Sequence, residues 1–195
     1  MPAAITHREL RGCLRRQVAV ISHCMAGAPS AGLALLRNSS LTEQWELAVS
    51  SCLAVLCLRI DGQPTGFTAQ QMVTEYLAVE HNPALVMFNT HLGLTVLDLL
   101  PDGDDPAPVI DRLMSTATGV GGANGARESL AHPRFLNGLP GGQAAELMEI
   151  VKSSTLGQSV LSPESRTRLL ASVEISEVAA MRQLEIARLG AMQTP

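Results

Sequence analysis

Residues 84–100 read ALVMFNTHLGLTVLDLL. Wound as a helix, this run is apolar on almost every side, and Asn82-Pro83 just ahead of it stops the preceding helix and starts this one. A helix without a polar face belongs at the centre of a domain, enclosed by other helices. Amphipathic partners are therefore expected on both sides of it in the chain.

Upstream, Thr68–His81 has Met72, Val73, Tyr76 and Leu77 on one side, at helical spacing. Leu41–Arg59 carries Trp45, Ala48, Val49, Cys52, Leu53 and Leu56, and also reads as central. It reads as one helix to Arg59; a strand over its end, Ala54–Ile60, is the lesser alternative, because periodicity alone does not separate the two in a short apolar run. The first helix is predicted from about Thr6 to Met25, with Leu10, Cys13, Leu14, Val18, Ile21 and Cys24 at three-four spacing. Gly27 and Pro29 end it, and a short helix is expected over Ala31–Arg37. Helix starts are marked by three capping boxes, Thr6-His-Arg-Glu9, Ser40-Leu-Thr-Glu43 and Thr68-Ala-Gln-Gln71, and by Ser162-Pro163.

Downstream, Pro101–Pro106 is an acidic turn. Helices are predicted over Val109–Thr118, Ala126–Ala131, Gln143–Ser154 and Pro163–Met192. Gly119–Gly125 reads as a linker between helices, or as a lid over a pocket; it lacks the preceding strand and the Gly-Lys-Ser/Thr ending of a phosphate loop. The last helix has two apolar sides, one with Leu169, Val173, Ala180 and Leu184, the other with Ile175, Val178, Ile186 and Leu189. Such a helix packs between others or against a second copy, and a homodimer is expected. The fold class that follows is all-α, one domain over residues 1–195, a bundle of about seven to nine helices closed by a long C-terminal one.

Composition agrees with a packed core: 46% of residues are hydrophobic and 16% charged. Residues 1–37 hold five Arg and one Glu, whereas 38–125 hold two Arg and ten acidic residues, and the whole chain is at −4. An acidic chain with 3% aromatic residues is a poor nucleic-acid binder, and no nucleic-acid partner is expected. Arg8, Arg11, Arg15 and Arg16 are read as the counterweight to the acidic middle of the same chain. Neither a signal peptide nor a membrane span is read, so no membrane partner is expected. The four cysteines, 13, 24, 52 and 57, form no Cys-x-x-Cys pair and are taken as buried thiols in a reducing cytoplasm, the expected location. Only Lys152 is a lysine among the 14 basic residues, a bias typical of high-GC bacterial genomes.

One polar strip interrupts the core helix. His91, Thr95 and Asp98 fall within about 60° of one another around its axis. His91 and Asp98 are about 10.5 Å apart along it, too far to form a dyad alone. If the strip faces a cavity, His91 is the acid–base group and Asp98 its carboxylate companion, with Glu75, Tyr76 and Thr95 orienting a ligand. No Glu-x-x-His and no His-Glu-x-x-His occurs, so neither a metal nor another cofactor is expected. The function expected is a small-molecule-binding helical protein, its catalytic version a tailoring enzyme of bacterial secondary metabolism. The alternative is a non-catalytic interaction or regulatory accessory protein that dimerises through its helices. An enclosed cavity touching His91 favours the first, and a filled core with an exposed apolar groove the second.

Overall fold

In a computed structural model, residues 7–39, 44–81 and 86–157 are described. They form nine helices and, among these residues, no strand: α1 (His7–Met25), α2 (Pro29–Arg37), α3 (Gln44–Ile60), α4 (Gly66–Ala78), α5 (Val86–Leu99), α6 (Ala107–Thr118), α7 (Ala123–Leu130), α8 (Pro133–Gly138) and α9 (Gln143–Gly157). The all-α fold is as the hydrophobic periodicity predicts. The expected C-terminal helix over 163–192, and with it the dimer surface, lies outside the described residues, as do the capping residues Thr6, Ser40 and Ser162.

Helix α5 is the centre, with α3, α4, α6, α7 and α8 all packed on it. Phe88, Leu92, Leu94, Val96, Leu97 and Leu99 are buried. Each such side chain contributes about 1.5–3 kcal/mol on leaving water, which is why the segment with no polar face takes the middle. One continuous apolar core runs from Val20 and Ile21 of α1, through Leu53 and Leu56 of α3 and Leu113 of α6, to Phe135 of α8 and Leu147 of α9. No helix among the described residues is long and apolar enough to cross a membrane.

Two close approaches set the spacing around α5. Gly93 lies under the Tyr76 ring of α4 and against Leu113 of α6; a Cβ there would overlap the Tyr76 hydroxyl and sit 2.7 Å from Leu113 Cδ2. Gly125 does the same for α7, since a Cβ there would fall 2.6 Å from Thr90 Oγ1 of α5. Thr90 is held in place by donating to the Val86 carbonyl at 2.8 Å.

Some local expectations hold and others change. Ala54–Ile60 is helical, as the main reading of that segment has it, and forms the last two turns of α3. Its sequence was ambiguous only in isolation, and burial of Val55, Leu56 and Cys57 against other helices resolves it. Thr68 does not cap a helix: Ala69 N–H already bonds the Thr65 carbonyl at 2.7 Å, so Thr68 lies within the first turn of α4. Within the glycine-rich stretch, Ala123, Asn124 and Gly125 belong to α7. Gly125 is there for helix packing, whereas Gly121, at φ +77°, makes the turn before it. Helix α8 is not anticipated by periodicity because six residues are too few to display one; Pro133 at its start is the local signal.

Candidate functional site

The polar groups of α5 divide between two ends and two sides. At its C-terminal end, the last carbonyls have no partner within the helix and carry its negative dipole end. Two guanidinium groups meet them. Arg59 donates to the Leu99 carbonyl at 3.1 Å. Arg134 of α8 donates to the carbonyls of Leu97 and of Leu100, the latter at 3.0 Å. Beside them His132 Nε2–H donates to Asp98 Oδ1 at 2.9 Å. The imidazole is 8% exposed and its Nδ1 is buried without a partner. A carboxylate-held imidazole is the arrangement of a general base, but this one turns its second nitrogen into the protein.

The five residues expected to line a site are placed as follows. Thr95 is buried, and its hydroxyl donates to the His91 carbonyl at 2.8 Å. His91 is half-buried one turn before it. Asp98 is joined to His132. Glu75 of α4 accepts from Gln44 Nε2 of α3 at 2.5 Å, tying those two helices together. Tyr76 is 1% exposed and has turned inward onto Gly93. His91, Thr95 and Asp98 thus share a side of α5, Tyr76 lies on another, and Glu75 belongs to the α3–α4 contact.

A group that carried no expectation stands out on the Tyr76 side. Asn89 precedes Gly93 by one turn, about 40° away round the axis. It is 2% exposed, and neither its amide oxygen nor its amide nitrogen has a hydrogen-bond partner. The Tyr76 hydroxyl is also buried and unpartnered. Burial pushes its proton affinity well above the usual phenol range, so it stays protonated and can donate as well as accept. The Trp45 indole N–H of α3 is a third unpartnered donor; its ring meets Phe88 edge-on, with centroids 5.9 Å apart. Sequence reading passed over Asn89 because a single polar residue in an apolar helix has no periodicity, although an amide at a core position was itself a signal.

Elsewhere, an open hollow of about 390 Å³ lies where α7 and α9 meet, lined by Gly119, Gly121, Asn124, Ile150 and Ser153 among others. Its lining offers backbone groups, the Asn124 amide and serine hydroxyls but no charged side chain. Arg16 of α1 forms an ion pair with the buried Glu46 of α3, so one of the four N-terminal arginines answers an acid of its own chain. Among the described residues no group of three His, Cys, Asp or Glu side chains is placed to hold a metal ion. No family model matches this chain, nor does any curated protein or solved structure.

Proposed function

We propose that this chain is a small-molecule-binding helical protein whose ligand enters the interior beside α5, between α4 and α6, and is held by Asn89 and Tyr76. The observation that carries the reading is Asn89: a core amide with both polar atoms unpartnered. Each buried polar group left without a partner costs about 1–3 kcal/mol, and native interiors avoid the cost unless something else satisfies it. Tyr76 and Asn89 share the side of α5 marked by Gly93. Together they offer three donor hydrogens, two acceptor oxygens and no charge. That set suits a neutral molecule carrying hydroxyl, carbonyl or amide groups. The ligand side of α5 is then the one opposite His91, and the proposal is of binding, not of turnover at His91.

The test is native mass spectrometry of the full chain, with thermal melting in the presence of neutral hydroxyl- and amide-bearing compounds. A retained small molecule, or a rise in Tm with such a compound, is expected. Asn89→Leu should abolish both while raising the Tm of the unliganded protein by several degrees, because it removes the unpaired amide. A wild-type chain that retains nothing, responds to no compound and is destabilised by Asn89→Leu overturns the reading.

A second reading, an interaction or regulatory accessory protein, has its own support in Phe67, which is 82% exposed in the first turn of α4, and in Val120 at 79%. Under it, Phe67→Ala should weaken association between copies of the chain in sedimentation or light scattering, and Asn89→Leu should leave that association unchanged.

A further inference from the structure

The sulfur atoms of Cys24 and Cys57 lie 2.9 Å apart in the core. Cys24 is in the last turn of α1 and Cys57 in the last turn of α3, 33 residues later. No Cys-x-x-Cys spacing announces them; the antiparallel fold-back of α1, α2 and α3 brings them together. A disulfide requires the sulfurs to close by about 0.9 Å more. Gly32 of α2 lies beside Cys57, and a Cβ there would be 3.2 Å from its Sγ, so the glycine leaves that sulfur room to turn. Cys52 is also buried, but it sits about 140° away round α3 and is not part of the pair.

We propose that Cys24 and Cys57 are a reversible redox site, which hydrogen peroxide closes to a disulfide tying the end of α1 to the end of α3. Cys24 is the attacking sulfur. It retains 5% exposure where Cys57 has none, and it lies just ahead of the exposed turn at Ala26 and Gly27. Its thiol is also held below the usual range by the hydrogen bond from Cys57. In the first step the Cys24 thiolate attacks a peroxide oxygen; an S–O bond forms, the O–O bond breaks, and hydroxide leaves to become water. In the second, Cys57 gives up its proton and attacks the Cys24 sulfur; the S–S bond forms, the S–O bond breaks, and the departing hydroxide takes that proton. Two thiols have then lost two electrons and two protons, and one peroxide has become two waters. A thiol reductant reverses the change by exchange. The site does not depend on what the interior beside α5 binds.

The full reduced chain, treated with hydrogen peroxide while folded, should lose two mass units, and its non-reducing peptide map should show Cys24 joined to Cys57. The Cys13→Ser/Cys52→Ser variant should do the same. The oxidised protein should melt roughly 10 °C higher, as expected for a cross-link closing a loop of this length, and return to the starting Tm on reduction. In guanidinium the pairing should scatter over all four cysteines. Four free thiols after treatment, separate oxidation of Cys24 and Cys57 without a bond between them, or the same scattered pairing in the folded protein would each overturn the proposal; peptide mapping of the wild type decides this even if the double variant does not fold.

Discussion

His132 Nε2 and Asp98 Oδ1 are 2.9 Å apart, and this contact fastens the turn between α7 and α8 to the last turn of the central helix. The imidazole is almost fully enclosed, and the carboxylate satisfies its Nε2–H. Asp98→Ala should leave a buried ring nitrogen unsatisfied and destabilise the fold by about 1–3 kcal/mol. In denaturant melts, the Asp98→Ala/His132→Ala double variant should lose less than the sum of the two single changes. Strict additivity would show that the two groups are not coupled.

Gly93 and Tyr76 are complementary in shape. Gly93→Ala places a methyl group where the phenol ring lies, and should cost about 1–3 kcal/mol as overpacking. Tyr76→Phe removes a buried hydroxyl with no partner and should be neutral or slightly stabilising in the unliganded protein. It should also recover part of the Gly93→Ala loss, since the hydroxyl is one of the atoms overlapped. Urea melts of the two single variants and the double variant measure this; no recovery in the double would mean the overlap is with the ring alone.

Arg134 joins α8 to the end of α5 through two carbonyls. Arg134→Met should expose or orphan both and cost about 1–3 kcal/mol, and Arg134→Lys should recover part of the loss, because one nitrogen, Nη1, serves both carbonyls and an ammonium also carries more than one donor. Hydrogen exchange should quicken first in α8 and the last turn of α5. Uniform quickening across all helices would contradict a local capping role.

Thiol reactivity should separate Cys24 from Cys52. Alkylation proceeds through the thiolate. Burial pushes the Cys52 thiol up, well out of its ordinary range, whereas Cys57 holds that of Cys24 down. In folded protein at pH 8, iodoacetamide should therefore label Cys24 before Cys52. Raising the pH by one unit should speed Cys52 about tenfold, because it remains far below its pKa, and Cys24 by less. Equal rates and equal pH slopes, followed by peptide mass spectrometry, would refute the assignment.

How much of this was legible in advance follows from the range of the interactions. The central helix was read from residues 84–100 because its signal, apolar residues on every side, is contained in one segment. The same segment marks Thr95, whose hydroxyl is bonded to the helix's own His91 carbonyl. It marks Asp98 without its partner, since His132 is 34 residues away and no spacing rule links them. It does not mark Asn89, whose unpaired amide is a matter of what it fails to touch, which no linear pattern records. The pair Cys24 and Cys57 was hidden for the same reason as His132: each residue is an ordinary small core group until α1 and α3 are brought together.

Local periodicity, by itself, determined that the chain is helical and that α5 would be buried, because both depend on how apolar side chains repeat along a few turns. The glycine notches at 93 and 125, the Asp98–His132 fastening, the unpaired amide of Asn89 and the facing sulfurs were decided only by tertiary structure. Each depends on how separate segments of the chain approach one another, and hydrophobic burial, being non-directional, specifies that helices meet without specifying which polar atoms end face to face.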